Sequence, residues 1–379
     1  MEFSSKSKLL VVDDSAFMRK LISDFFVDNP RVEVVGTARN GKDAIKKVQS
    51  LQPDVVTMDV EMPELNGLDA LKEIMNLYPV PVIMLSSTTL QGAENALIAM
   101  ENGAVDFVAK PSGTISLDLH KIKEELVHKV EHAAHVSITK LKKPNIVPMQ
   151  VSKNSTLTEE RPFNKNQYTQ VSHTEKNNLF NKTRWNQATK KIVLIGTSTG
   201  GPRALQEVIS KLPGTIKAPI LIVQHMPAGF TKSLADRLNQ LSQLQVKEAE
   251  QGDRLQNGVA YIAPGGYHLK LEKRGASYEI VLDQTEPPRS GHRPSVDVMF
   301  ESVSKIKEFD KVAVIMTGMG SDGTKGLIDL KQNGNIMAIA EAEKTCIVYG
   351  MPKAAVETQL VNEVVDVDNI AEAIMKYLP

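Results

Sequence analysis

Cysteine occurs once in the 379 residues, as Cys346, so no internal disulfide can form. A lone thiol suits a reducing compartment and leaves redox sensing open, although a small buried residue is the expectation for Cys346. No apolar run approaches the roughly 18 residues of a membrane span. The opening MEFSSKSKLLVVDD reaches two aspartates after a short apolar run, so the core of a secretory signal is lacking as well. The expectation is a cytoplasmic protein with no membrane insertion. Strong charge of one sign is also missing: the formal net charge is zero. Residues 1–130 carry 14 Lys+Arg against 19 Asp+Glu, and residues 191–379 carry 21 against 22. Neither half has the electrostatic footprint of direct nucleic-acid binding, unless the basic segment between them supplies it.

That segment has its own absence. From Leu141 to Lys190 there is no glycine, twelve of the fifty residues are Asn or Gln, and basic residues outnumber acidic ones nine to three. Such a composition cannot bury enough apolar surface to offset its ordering entropy. The domain expectation is therefore a folded unit over 1–130, a flexible basic linker over 131–190, and a second folded unit over 191–379.

In the first unit, apolar strands at Lys8–Val12, Val32–Gly36, Val55–Met58, Val82–Leu85 and Val105–Ala109 alternate with amphipathic stretches. The pattern predicts a doubly wound α/β fold with a five-stranded parallel sheet, whose ligands gather at the carboxyl ends of the strands. Those ends carry Asp13 and Asp14, Asp59, Ser86 and Lys110. Each aspartate alone could be a helix cap. Three carboxylates, a hydroxyl and an ammonium on one rim instead suit a divalent cation such as Mg²⁺.

VVDDS at 11–15, MDVEMPELNG at 58–67, MLSS at 84–87 and DFVAKP at 106–111 resemble the receiver domain of two-component response regulators. The resemblance implies that Asp59 is the phospho-acceptor and that Asp13, Asp14, Asp59 and the backbone carbonyl of Glu61 hold Mg²⁺. It also implies that Ser86 and Lys110 contact the phosphoryl group. Phe107 stands where that family carries a switch aromatic, a position that plain core packing also explains.

The second unit is organised around KIVLIGTSTGGPRAL at 191–205, a buried strand breaking into a Gly-rich turn and then a helix started by Pro202. Ser198 falls at the apex, where its hydroxyl is expected to be exposed. Gly196-Thr197-Ser198-Thr199-Gly200 fits the nucleophile-elbow pattern, although a strand, Gly-rich turn and helix also build phosphate sites. No Gly-Lys-Ser/Thr completes a phosphate loop. Strands at Ala218–Gln224 and Lys311–Met316 deliver His225 and Asp322 to the same rim, so hydroxyl, imidazole and carboxylate converge. The chain order Ser, His, Asp differs from that of the α/β-hydrolases.

IGTSTGGPRAL, VQHMPAGFT, YIAPGGYHL, HRPSVDVMF and MTGMGSDG resemble the catalytic domain of chemotaxis protein-glutamate methylesterases, an α/β domain with a mostly parallel sheet. That resemblance makes Ser198 the nucleophile, His225 the base and Asp322 its partner, with Thr199 placing the imidazole and the Met319 N–H in an oxyanion hole. His268, His292 and Arg293 lie in matching motifs without assignable roles. Arg293 could recognise acidic groups beside a substrate glutamate, or form an ordinary surface ion pair. The implied activity is phosphorylation-regulated hydrolysis of glutamate methyl esters on methyl-accepting chemotaxis receptors, with deamidation of receptor glutamines beside it. The implied phosphodonor is the chemotaxis histidine kinase, and ester hydrolysis needs no cofactor. Three rivals remain at this level: a DNA-binding response regulator, a non-catalytic adaptor for receptors, and an esterase for small molecules.

Overall fold

A computed structural model describes residues 5–110, 116–141, 185 and 188–379. Most of the expected linker, residues 142–184 and 186–187, lies outside the described residues.

The first unit runs β1 (Ser7–Val12), α1 (Ala16–Phe25), β2 (Val32–Ala38), α2 (Gly41–Leu51), β3 (Val55–Asp59), α3 (Gly67–Leu77), β4 (Val82–Ser86), α4 (Leu90–Glu101), β5 (Asp106–Ala109) and α5 (Ser116–Ala133). The five strands pair in parallel in the order β2-β1-β3-β4-β5. Leu9 to Val12 have no exposed surface, as a strand covered by helices on both faces requires. The starts of α1 to α4 are each marked by a polar cap: Ser15, Asn40, Asn66 and Thr89 accept from the backbone N–H three residues on. The order reverses beside β1, which opens a crevice at the carboxyl ends of β1 and β3.

After a 3₁₀ turn at Ile138–Lys140, the second unit runs β6 (Lys190–Thr197), α6 (Gly201–Ile209), β7 (Ile220–Gln224), α7 (Phe230–Leu241), β8 (Gln245–Glu248) and β9 (Val259–Ile262). A hairpin of β10 (His268–Arg274) and β11 (Ser277–Asp283) follows, then α8 (Val296–Ser304), β12 (Phe309–Ile315), α9 (Thr324–Asn333), β13 (Ile336–Glu341), α10 (Met351–Glu357), β14 (Glu363–Val365) and α11 (Val367–Met375). Seven strands form a parallel sheet in the order β14-β13-β12-β6-β7-β9-β8, with the antiparallel hairpin apart from it. β6 lies between β12 and β7, so the order reverses beside it and the binding crevice falls at its carboxyl end.

The two sheet units pack together through α4, β5, α5 and the 3₁₀ turn on one side and α6 and α7 on the other. Phe107 stacks on Phe230 with ring centroids 4.6 Å apart. Arg237 grips Glu101 with both Nε (2.7 Å) and Nη2 (3.0 Å), and Gln206 donates to the same carboxylate. Arg203 donates to the carbonyls of Lys140 and Leu141.

Candidate active site and acidic pocket

At the first crevice, Asp13 and Asp59 are buried and Asp14 is exposed, and one oxygen from each lies within 4.8 Å of the others. Lys110, just past β5, sits 2.9 Å from Asp13 and 2.7 Å from Asp59. Burial pushes the Asp59 carboxyl up to about 6 against the pull of Lys110. Burial also disfavours charge on Lys110, but its bonds to the two carboxylates win and raise its pKa. The Glu61 N–H donates to Asp59 at 3.3 Å, and the Ser86 hydroxyl donates to the Gly92 carbonyl at 2.7 Å. Three carboxylates face one ammonium, so hard oxygen donors remain for a divalent cation.

At the second crevice, Ser198 follows β6. Its N–H donates to the Thr317 carbonyl, and its own carbonyl accepts from Gln224 Nε2. Gly200 takes a φ of +78°, which lets the chain turn into α6. A Cβ on Gly318 would fall 2.8 Å from Ser198 Cβ, so only glycine allows the two loops to approach this closely. The expected exposure of Ser198 is not met: the residue is 8% exposed. It lines a pocket of about 610 Å³ together with Thr199, His225, His292, Arg293 and Met319, and Glu124, Glu125, His128 and Lys129 of α5 line the same pocket. A rim position does not by itself leave a side chain open.

His225 follows β7, and its Nε2 is 2.8 Å from Asp322 Oδ2. Its Nδ1 is buried without a hydrogen-bond partner among the described residues. Asp322, in the loop ahead of α9, reaches the N-terminus of α8, where the Ser295 hydroxyl and the backbone N–H groups of Val296 and Asp297 also donate to it. Burial works against ionisation of Asp322, yet the His225 bond and those N–H groups outweigh it and hold the carboxyl far below its ordinary range. The sequence carried a local signal for this cradle in Ser295 ahead of an apolar helical stretch, but nothing in it joined that helix to Asp322.

His292 was without a role in the sequence. Its ring lies parallel to His225, with centroids 3.9 Å apart, and burial followed by the His225 charge pushes its pKa down to about 3. The imidazole beside His225 is therefore neutral at ordinary pH. The Thr199 hydroxyl donates to Asp106 of the first unit at 2.6 Å instead of to His225. Met319 lines the pocket, and its N–H has no acceptor among the described residues. His268 is buried and its Nε2 donates to the Pro287 carbonyl at 3.1 Å, and Cys346 is buried. No described helix is long and apolar enough to cross a membrane.

The chain matches two family models, "CheB methylesterase" over residues 193–374 and "Response regulator receiver domain" over residues 9–120. It is 52% identical over 371 residues to the protein-glutamate methylesterase/protein-glutamine glutaminase of Geobacillus kaustophilus, covering 98% of both chains. It is 53% identical over 372 residues to the protein of the same name from Halalkalibacterium halodurans, again covering 98% of both. The Bacillus subtilis protein of that name is 50% identical over 373 residues, covering 97% of both. The chain therefore belongs to the CheB methylesterase family, in the form that carries a response regulator receiver domain ahead of the methylesterase domain.

Proposed function

We propose that this protein removes methyl groups from glutamate γ-methyl esters on methyl-accepting chemotaxis receptors, and deamidates receptor glutamines, under control of phosphorylation at Asp59. The observation that carries the reading is that His225, bonded to Asp322, lines one pocket with Ser198. Residues 1–130 act as receiver and 191–379 as the catalytic domain, joined by the connector 131–190, in the cytoplasm.

In this reading Ser198 Oγ attacks the ester carbonyl while His225 Nδ1, the unpartnered nitrogen, takes its proton. Asp322 fixes the ring through Nε2 and stabilises the imidazolium. Negative charge develops on the carbonyl oxygen, and the Met319 N–H would receive it. His225 returns the proton to the departing methoxy group, methanol leaves, and water cleaves the acyl-enzyme by the same steps. An amide substrate would release ammonia instead. Thr199 steadies the imidazole once its hydroxyl leaves Asp106.

Asp59 would attack the phosphoryl group offered by a chemotaxis histidine kinase, with Ser86 and Lys110 contacting that group. Asp13, Asp14, Asp59 and the Glu61 carbonyl would hold Mg²⁺, which supplies charge neutralisation there. With α5 lying along the catalytic pocket, the receiver restrains turnover until phosphorylation alters the free energy of docking. The zero net charge and the hydroxyl–imidazole–carboxylate set favour this over a DNA-binding effector or an adaptor.

The test is methanol release from methylated receptor membranes by wild type and Ser198→Ala, each with and without a small phosphodonor and Mg²⁺. Release that requires Ser198 and rises with the phosphodonor is expected. No release from folded wild type returns the adaptor reading.

A further inference from the structure

Arg293 lines the pocket that holds Ser198 and His225, beside His292. Its Nη1 is held by two backbone carbonyls, Gln284 at 2.7 Å and Glu286 at 3.2 Å. Its own carbonyl accepts the Gly266 N–H at 2.9 Å, so both ends of the residue are tied down. Nε, in contrast, is buried and has no acceptor among the described residues.

The sequence left a surface ion pair as the plain explanation of this arginine. No carboxylate among the described residues pairs with it. The acids of the neighbouring loop are committed elsewhere: Asp283 and Glu286 to Lys270, and Glu286 and Glu301 to Arg289. A half-buried guanidinium with an unsatisfied N–H is unfavourable unless an anion completes it. The unfilled edge, Nε with Nη2, is the edge that takes a carboxylate in two parallel hydrogen bonds.

From this we infer that Arg293 is a carboxylate-binding subsite, which holds an acidic side chain of the protein substrate next to the glutamate whose ester is cleaved. The ester itself is neutral and gives the enzyme no charge to grip; a neighbouring carboxylate does. The pocket already accepts such company, since α5 lays Glu124 and Glu125 along it while the receiver is docked. The inference rests on the esterase reading for the identity of the substrate, and on the pocket alone for the chemistry of the ligand.

The experiment uses the full-length protein with a small phosphodonor and Mg²⁺, and two short peptides that each carry one glutamate γ-methyl ester, flanked in one by Glu and in the other by Gln. Wild type is expected to favour the Glu-flanked peptide in kcat/KM by about tenfold, expressed through KM, as a charge-assisted pair of hydrogen bonds implies. Arg293→Ala should lose this preference by falling on the Glu-flanked peptide alone, and Arg293→Lys should keep part of it. An equal fall on both peptides, or no preference in wild type, overturns the subsite. Direct binding of the labelled peptides to Ser198→Ala protein needs no turnover. There, a Glu preference that depends on Arg293, without methanol release by wild type, sinks the esterase reading and keeps the subsite. Binding of neither peptide, or an Arg293 effect only on the hydrolysed product, overturns it.

Discussion

Arg237→Ala should raise methanol release in the absence of any phosphodonor. Arg237 and Glu101 form a two-pronged pair at 2.7 and 3.0 Å across the receiver–catalytic contact, with side chains 38% and 20% exposed. Fully exposed pairs contribute about 0.2–1 kcal/mol, and breaking a fully buried one costs about 3–5 kcal/mol. Partial exposure places this one at roughly 1–2 kcal/mol, with Glu101 keeping only Gln206 after the substitution. That energy corresponds to a 5- to 30-fold rise in the undocked fraction, and basal turnover follows it while the docked form dominates. The assay is methanol release from methylated receptor membranes, repeated at high salt, where screening should shrink the difference. Arg237→Glu should act more strongly, and the exchanged pair Glu101→Arg with Arg237→Glu should return basal turnover toward wild type. Unchanged basal release in the single variants, or no recovery in the exchanged one, would refute the view that this contact holds the receiver over the pocket.

Phe107→Ala should also raise basal release, because the Phe107–Phe230 stack is worth about 0.5–1.5 kcal/mol beyond its buried area; turnover at or below wild type in folded protein counts against it. Asp322→Asn keeps the shape but disturbs the His225 tautomer, so kcat should fall by about 10⁴ with little change in KM, read in steady-state kinetics. His292→Ala should lower kcat about tenfold by releasing the ring stacked on His225, while His292→Phe keeps most activity, a contrast that a mere loss of volume could also be tested for by melting temperature. Burial, with the Asp322 charge second among raising causes, pushes Asp297 up to about 6. Its folded pKa lies above the ordinary value, so the stability it contributes is present in acid and is lost as pH rises through 6. Asp297→Asn retains the Oδ1 acceptor for the N–H groups of Gly323 and Gly326. Its melting temperature should exceed that of wild type above pH 6, and the gap should close below about pH 4.

The sequence by itself determined the fold class and the position of each chemical group along its strand. β1, β4, β6, β7 and β12 carry apolar runs at Leu9–Val12, Val82–Leu85, Ile192–Ile195, Ile220–Val223 and Val312–Ile315, β3 has one broken only by Thr57, and a polar residue past the end of such a run falls on the rim of a parallel sheet. Asp13, Asp59, Ser198, His225 and Asp322 are all legible in this way. The short outer strands β8 and β14 and the β10–β11 hairpin were not, since strands this brief or this mixed in polarity leave little periodic signal.

Only the tertiary structure decided what meets across elements distant in the chain. The cradle of Ser295, Val296 and Asp297 around Asp322, the ring of His292 against that of His225, and the uncompensated edge of Arg293 each depend on segments that are apart in the chain. The bond from Thr199 to Asp106 depends on a second folded unit lying across the rim. Local pattern records the periodicity of one segment, whereas such contacts are fixed by packing between segments.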